Sequence, residues 1–337
     1  MSPFPVPARR AARRFAAPAL LAATALAVLT ACGTPSDIAA GSAPSSGAAG
    51  AGQLRVNLSP NQNRVRATKI DAIANTVPAA IREKGEFVVG VNPDGAPPLE
   101  FLATDDRTLI GSEPDIAQLV ADVLGLKLRL ENTSWENLFL SVRSGKYHLG
   151  FSNITVTEDR KDLYDFATYR VDQLAWEVRK DGKVTKISGP ADIAGLNVSV
   201  GSGTNQEKIL LSWDEENKKA GRKPVNISYF ESSDYQLALR SGRTDAHFGP
   251  NPTVAYHVAV AGETRIAGTY SGGGASVDGR IAAMTVKGSG LVDPVAAALN
   301  AVIKDGKYAE VLERWGLSNE AVPEALVNPP GLPREKT

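Results

Sequence analysis

Alternation of short apolar segments with helical segments most strongly restricts the fold of this chain. Residues 87–91 form an apolar run typical of a buried strand, and the leucines of residues 126–130 alternate as in a second strand. Apolar residues at helical spacing predict helices over residues 113–124 and 135–143. This repeated order predicts an open, mostly parallel sheet, which binds ligands beyond the carboxyl ends of its strands.

A short repeat indicates that the pattern occurs twice. Residues 140–145 (LSVRSG) are matched by residues 237–242 (LALRSG), and a phenylalanine follows at the same distance in both copies. Two similarly built lobes explain the match, and chance similarity over so short a stretch is the alternative. Residues 65–320 are long enough for two domains of usual size, and residues 321–337 are predicted to form a proline-punctuated tail.

The N-terminal residues predict export across a membrane. Arginines at positions 9, 10, 13 and 14 precede an apolar run over residues 15–28 that is too short to span a bilayer, which is typical of a signal peptide over residues 1–31. Cys32 follows in the segment LTACG, which resembles the cleavage site of bacterial lipoproteins and implies that Cys32 is lipidated. An ordinary signal peptide followed by an incidental cysteine is the alternative. The general and twin-arginine export routes both stay open.

Composition limits the remaining possibilities. Residues 32–64 are expected to form a flexible tether, because they begin with a nearly uncharged stretch of Gly, Ala, Ser and Pro. Without the four leader arginines, 33 basic residues face 37 acidic ones, which gives no electrostatic footprint for nucleic acid. His148, His247 and His257 lack the spacing of metal ligands. We therefore expect no metal and no cofactor. We also expect a monomer.

Five motifs occur in one order along the chain: residues 85–91 (GEFVVGV), 97–101 (PPLEF), 111–117 (GSEPDIA), 134–138 (SWENL) and 153–161 (NITVTEDRK). Together they resemble the family 3 extracellular solute-binding proteins, the polar amino-acid receptors of ATP-binding-cassette importers. The resemblance covers residues 81–318, and the motifs are specific only in combination.

This resemblance implies a two-lobed α/β periplasmic-binding-protein fold, in which each lobe is an open, mostly parallel sheet flanked by helices. The first lobe would take residues 65–172 and 276–320, and the second would take residues 173–275. Two strands join the lobes as a hinge, and lobe closure reports the bound solute to the importer. The implied function is capture of a small carboxylate-bearing solute, an amino acid or a derivative, for delivery to an import permease.

The resemblance also implies a ligand site in the first lobe. Arg160 corresponds to the residue that pairs with the solute carboxylate, for which a guanidinium offers a two-pronged donor. Thr155 corresponds to a residue that donates to the same carboxylate, and Asn153 to another position facing the cleft. Trp135 corresponds to an aromatic residue that packs on the solute.

A second-lobe turn contributes the other predicted contacts. Gly203, Thr204 and Asn205 follow an apolar strand and open a helix, so their backbone N–H groups are suited to an anion. From the residues alone, a plain connection between strand and helix is the favoured explanation of the turn. The resemblance favours ligand contacts at these positions.

Two departures from the family pattern bear on the solute. The acidic residue that usually receives the α-ammonium is replaced by Pro250, and the usual first-loop aromatic residue by Gly95 or Ala96. We therefore expect carboxylate recognition to persist and α-amine recognition to differ, so the solute need not be a standard α-amino acid. The candidate substitutes for the missing acid are Asn251, Asn92 and Asp94.

Two other functions use the same fold. A dehydratase-like enzyme would need a positioned acid or base in the cleft, and no catalytic triad order appears in the sequence; we expect binding without catalysis. A solute sensor or scavenger would use the same site with a partner other than an importer, and the sequence does not separate it from a transport receptor.

Overall fold

The computed structural model describes residues 56–93, 96–230 and 234–334. The predicted signal peptide, Cys32, most of the predicted tether, Asp94 and Gly95 lie outside the described residues. Within the described ranges, no helix is both long enough and apolar enough to cross a membrane.

Helices and strands alternate along the chain. The helices are α1 (Asp71–Ala74), α2 (Ala79–Lys84), α3 (Ser112–Leu124), α4 (Trp135–Arg143), α5 (Asn205–Lys219), α6 (Asp234–Arg240), α7 (Asn251–Ala261), α8 (Val292–Lys304) and α9 (Lys307–Arg314). The strands are β1 (Glu86–Val91), β2 (Phe101–Leu102), β3 (Leu109–Ile110), β4 (Lys127–Asn132), β5 (Leu149–Gly150), β6 (Tyr164–Val171), β7 (Gln173–Arg179), β8 (Asn197–Val200), β9 (Asn226–Tyr229), β10 (Ala246–Pro250), β11 (Thr264–Ser271) and β12 (Arg280–Val286).

Two five-stranded sheets form the centres of two lobes. The strand order is β4-β1-β5-β12-β6 in the first lobe and β11-β7-β10-β8-β9 in the second. One strand in each sheet runs against the other four, namely β12 in the first and β7 in the second. The chain enters the second lobe through β7 and returns to the first lobe through β12.

The chain crosses between the lobes at two adjacent places. The first crossing runs from β6 through Asp172 into β7, and the second runs from β11 over residues 272–279 into β12. The crossings are bonded to each other, since Gly272 N–H donates to the Asp172 carbonyl at 2.9 Å. A Cβ atom on Gly272 would lie 1.8 Å from Asp172 Oδ2, so a larger residue would force the crossings apart.

Each lobe has an apolar core of its own. In the first lobe, α3 and α8 cover one face of the sheet with buried residues such as Ile116 and Leu299, and α4 covers the other face with Leu138. In the second lobe, the Trp176 ring stacks on Phe248 with 4.0 Å between ring centroids. Burial of these apolar surfaces is the main stabilisation of both lobes.

Both ends of the described chain contact the first lobe. Predicted tether residues 56–64 belong to its surface, because Leu58 accepts a hydrogen bond from Thr104 N–H at 2.9 Å and Arg64 pairs with buried Asp115 at 3.1 Å. Predicted tail residues 321–334 run beside β6, where Leu326 accepts a hydrogen bond from Thr168 N–H at 3.0 Å. The composition of a segment indicates only its local conformational preference. These two segments are fixed instead by hydrogen bonds and an ion pair to residues far away in sequence.

Leu332 connects this C-terminal segment to both lobes. Its backbone exchanges hydrogen bonds with Val156 and Glu158 of the first lobe, each at 3.0 Å. Its side chain, however, belongs to the apolar core of the second lobe and is 8% exposed. The segment therefore forms a contact between the lobes in addition to the two crossings.

Leu332→Ala should lower the free energy of unfolding by about 2 kcal/mol or more, because it removes a buried side chain and leaves a cavity. Leu326→Ala in the same segment is the matched control and should change it by about 0.5 kcal/mol or less, since that side chain is 39% exposed. Urea unfolding measures both. Equal effects would show that the Leu332 side chain adds nothing at this position.

Candidate functional site

A cavity of about 820 Å³ lies between the two lobes. Four predicted site residues line it: Trp135, Asn153, Thr204 and Asn205. Its lining also includes Asn92 and Pro250, which figured in the departures from the family pattern. Arg160, Thr155, Gly203 and Asn251 are not part of the lining.

Arg160 lies at the interface of the lobes beside the cavity. Its guanidinium donates to the carbonyl of Thr155 at 2.8 Å and, across the interface, to the carbonyl of Gly203 at 3.2 Å. It also lies over the rings of Trp135 and Phe139, 5.4 Å and 5.0 Å from their centroids. Burial lowers the pKa of Arg160 to about 10, so the group stays cationic at neutral pH.

The other first-lobe positions bond to the crossing. Thr155 donates its hydroxyl to Asp172 Oδ2 at 2.6 Å. Asn153 has a positive φ of 49°, its N–H donates to Glu113 Oε2 at 3.0 Å, and its Oδ1 accepts from Arg170 at 2.5 Å. Both side chains therefore have protein partners in this arrangement.

The second-lobe turn is capped by its own side chains. Thr204 Oγ1 accepts from Glu207 N–H at 3.2 Å, and Glu207 Oε2 in return accepts from Gly203 N–H at 2.6 Å. Asn205 reaches the crossing, where its amide donates to Asp172 Oδ2 at 3.1 Å. The carboxylate of Glu207 thus occupies a donor that was predicted to serve a solute anion.

The candidate substitutes for the missing acid differ in position. Asn92 lines the cavity and donates its N–H to Ser152 Oγ at 2.9 Å. Asn251 is the first residue of α7, and its side chain lies near Glu320 rather than lining the cavity.

Glu100 is a lining residue that the sequence analysis did not single out. Its Oε1 accepts a hydrogen bond from Ser152 Oγ at 3.1 Å. Burial, followed by the nearby charge of Glu113, raises the pKa of Glu100 well above its usual range. The available signal was a carboxylate inside a proline-rich apolar loop, where a charged side chain is unusual.

A polar cluster in the second lobe also borders the cavity. His247 stacks on Tyr235 at 3.6 Å between ring centroids, and His247 Nδ1 lies 3.1 Å from Ser199 Oγ. His257 Nδ1 lies 2.5 Å from Glu177 Oε1, and Glu177 belongs to β7. Single-sequence spacing gave no sign of this cluster, because its members come from five separate elements. Among the described residues, no group of three or more His, Cys, Asp or Glu side chains is placed to hold a metal ion.

Comparison with known proteins defines the class. The chain matches the family described as bacterial extracellular solute-binding proteins, family 3, over residues 87–318. It belongs to this family. The family resemblance seen in the motifs is thereby confirmed.

Individual relatives agree with this assignment. The arginine-binding protein ArgT of Corynebacterium glutamicum is 27% identical over 273 residues, which is 77% of this chain and 83% of the relative. The L-cystine-binding protein TcyJ of Escherichia coli K12 is 31% identical over 169 residues, 49% of this chain and 59% of TcyJ. A solved ancestral arginine-binding protein bound to arginine has a TM-score of 0.60 and 27% identity, covering 68% of this chain and 98% of its own. The predicted two-lobed α/β fold is confirmed.

His247 should make stability depend on pH. Burial lowers its pKa from 6.5 to about 4, so the folded protein binds this proton more weakly than the unfolded chain does. The contribution of neutral His247 to the free energy of unfolding is fully present above about pH 6.5 and is lost as the pH falls toward 4. The loss amounts to about 3 kcal/mol, since each factor of ten in proton affinity is worth about 1.4 kcal/mol.

The measurement is the free energy of unfolding from pH 7 to pH 4 for the wild type and for His247→Gln. The variant should lose about 3 kcal/mol less over this range, because residue 247 no longer binds a proton. Parallel pH profiles would contradict the expected protonation behaviour of His247.

Proposed function

We propose that this chain captures a small solute in the interlobe cavity and delivers it to an ATP-binding-cassette import permease, acting as a monomer. The observation that carries the proposal is that one cavity is lined from both lobes, which are joined by short crossings. A solute that contacts both walls favours the closed arrangement, which a permease can recognise. The family match across both lobes supports the same function.

The proposed solute is an amino acid or a derivative that carries a carboxylate. ArgT is named for arginine and TcyJ for L-cystine, and the ancestral relative is bound to arginine. Arg160 is the proposed carboxylate partner, since its guanidinium can exchange the hydrogen bond to the Gly203 carbonyl across the interface for a two-pronged contact with a carboxylate. The proposed further contacts are Trp135, Asn153, Thr204 and Asn205, with Thr155, Gly203 and Asn251 supporting them from behind the cavity lining.

Arg160→Ala should weaken binding of L-arginine or L-cystine by about 30-fold or more, because truncating one partner of a buried charge pair costs about 2 kcal/mol or more. Arg160→Lys should recover only part of the affinity, since an ammonium cannot make the bidentate contact. Calorimetry on the purified full-length chain measures both, and the bound solute should be recovered chemically unchanged.

Arg143→Ala is the matched control, because Arg143 is an exposed residue in the last turn of α4. It should leave the affinity unchanged. If Arg160→Ala also retains the wild-type affinity, the carboxylate assignment is wrong. Failure of the wild type to bind any of a panel of amino acids, opines, betaines and simple carboxylic acids would contradict solute capture itself.

We also propose that the chain is held at the outer face of the bacterial cell membrane by lipids on Cys32. The motif around Cys32 and membership of an extracellular family support this location. Cys32→Ala should move the protein from the membrane fraction to the soluble fraction and abolish its labelling with palmitate. Ser42→Ala in the same segment is the control, and continued membrane association of Cys32→Ala would contradict the anchor.

A further inference from the structure

Glu100 brings a buried carboxylate to the first-lobe wall of the cavity. The residue is 5% exposed, and its Oε1 is occupied by the hydroxyl of Ser152. Its Oε2 has no hydrogen-bond partner among the described residues. A buried charge without a partner is costly, so the raised pKa favours the neutral carboxyl of Glu100 while the cavity holds no cation, and a cation that donates to Oε2 restores the carboxylate.

The surroundings of Glu100 carry an excess of negative charge. The guanidinium of Arg170 bonds to Glu113 at 3.1 Å and also to Glu320, so two carboxylates share one cation before Glu100 is counted. The described residues that line the cavity include no lysine and no arginine. The wall around Glu100 therefore favours a positive charge.

A second buried acceptor lies on the opposite lobe. Gln206, in the first turn of α5, lines the cavity and is 7% exposed, and its Oε1 has no hydrogen-bond partner among the described residues. Gln206 belongs to the second lobe and Glu100 to the first. A group that donates to both acceptors would join the two walls and favour closure.

We infer that Glu100 and Gln206 form the subsite for a positively charged, N–H-bearing group of the solute, an ammonium or a guanidinium. This inference rests on the proposed solute-binding function and specifies its substrate class. Glu100 provides the acidic partner that Pro250 does not. A quaternary ammonium carries the charge but no N–H group, so it leaves both acceptors without a hydrogen bond.

A thermodynamic cycle between solute and protein tests the subsite. Affinities of the full-length wild type and of Glu100→Gln are measured by calorimetry for L-arginine and two analogues. L-Citrulline replaces the guanidinium by a neutral urea, and Nα-acetyl-L-arginine lacks the α-ammonium. The wild type should prefer L-arginine over one of these analogues by about tenfold or more, and Glu100→Gln should lose that preference, because both changes remove the same ion pair.

Glu136→Gln is the matched control, since Glu136 is the other carboxylate among the described lining residues but is exposed. It should keep the wild-type preference. The melting temperature of Glu100→Gln shows that the variant is folded. Gln206→Leu should weaken L-arginine binding without abolishing the preference, because the charge on Glu100 remains.

The possible failures are distinct. If Glu100→Gln keeps the wild-type preference for L-arginine over both analogues, or if the wild type has no preference, the cation subsite is wrong while solute capture stands. If the wild type binds none of L-arginine, L-lysine and L-cystine, the cation subsite is overturned. If it also binds no other amino acid and no carboxylate derivative, the proposed function is overturned with it.

Discussion

The ion pairs of Arg170 are the interaction on which the geometry of the cavity most depends. The guanidinium is buried near the end of β6, where it bonds to Glu113 of α3, to Glu320 near the C-terminus and to Asn153 Oδ1. A buried charge is tolerated only when ionic partners and hydrogen bonds surround it. Three distant parts of the chain are thereby fixed at the start of the first crossing, and the first-lobe wall of the cavity follows from their positions.

The crossing extends this constraint to the second lobe. Asp172, two residues beyond Arg170, accepts hydrogen bonds from Thr155 of the first lobe and from Asn205 of the second. One buried carboxylate therefore bonds to both lobes where the chain passes between them. Because Thr155 and Asn205 are also proposed to support or contact the solute, recognition and lobe arrangement share the same residues.

Local pattern predicted several helices and strands of the first lobe but little of the site. Helix α4 begins and ends at the predicted residues, and β1 differs from its prediction only by Glu86, because both depend on the spacing of neighbouring apolar residues. Glu100 and Leu332 act through partners far away in sequence, which no local periodicity reports. The motif around Arg160 predicted a position in the cleft. The hydrogen bond from Arg160 to the carbonyl of Gly203 was not predicted, because it depends on how the two lobes pack together.

With the proposed contacts, binding of the solute carboxylate exchanges one hydrogen bond for another, whereas binding of the solute cation adds a contact. Arg160 and Trp135 both donate to the carbonyl of Gly203, at 3.2 and 3.4 Å, so a solute carboxylate that pairs with Arg160 replaces a contact that the protein already makes. A cation beside Glu100 gives its Oε2 a hydrogen-bond partner that the described residues do not supply. Affinity reflects contacts formed minus contacts released. The cationic group therefore contributes more to affinity than the carboxylate does.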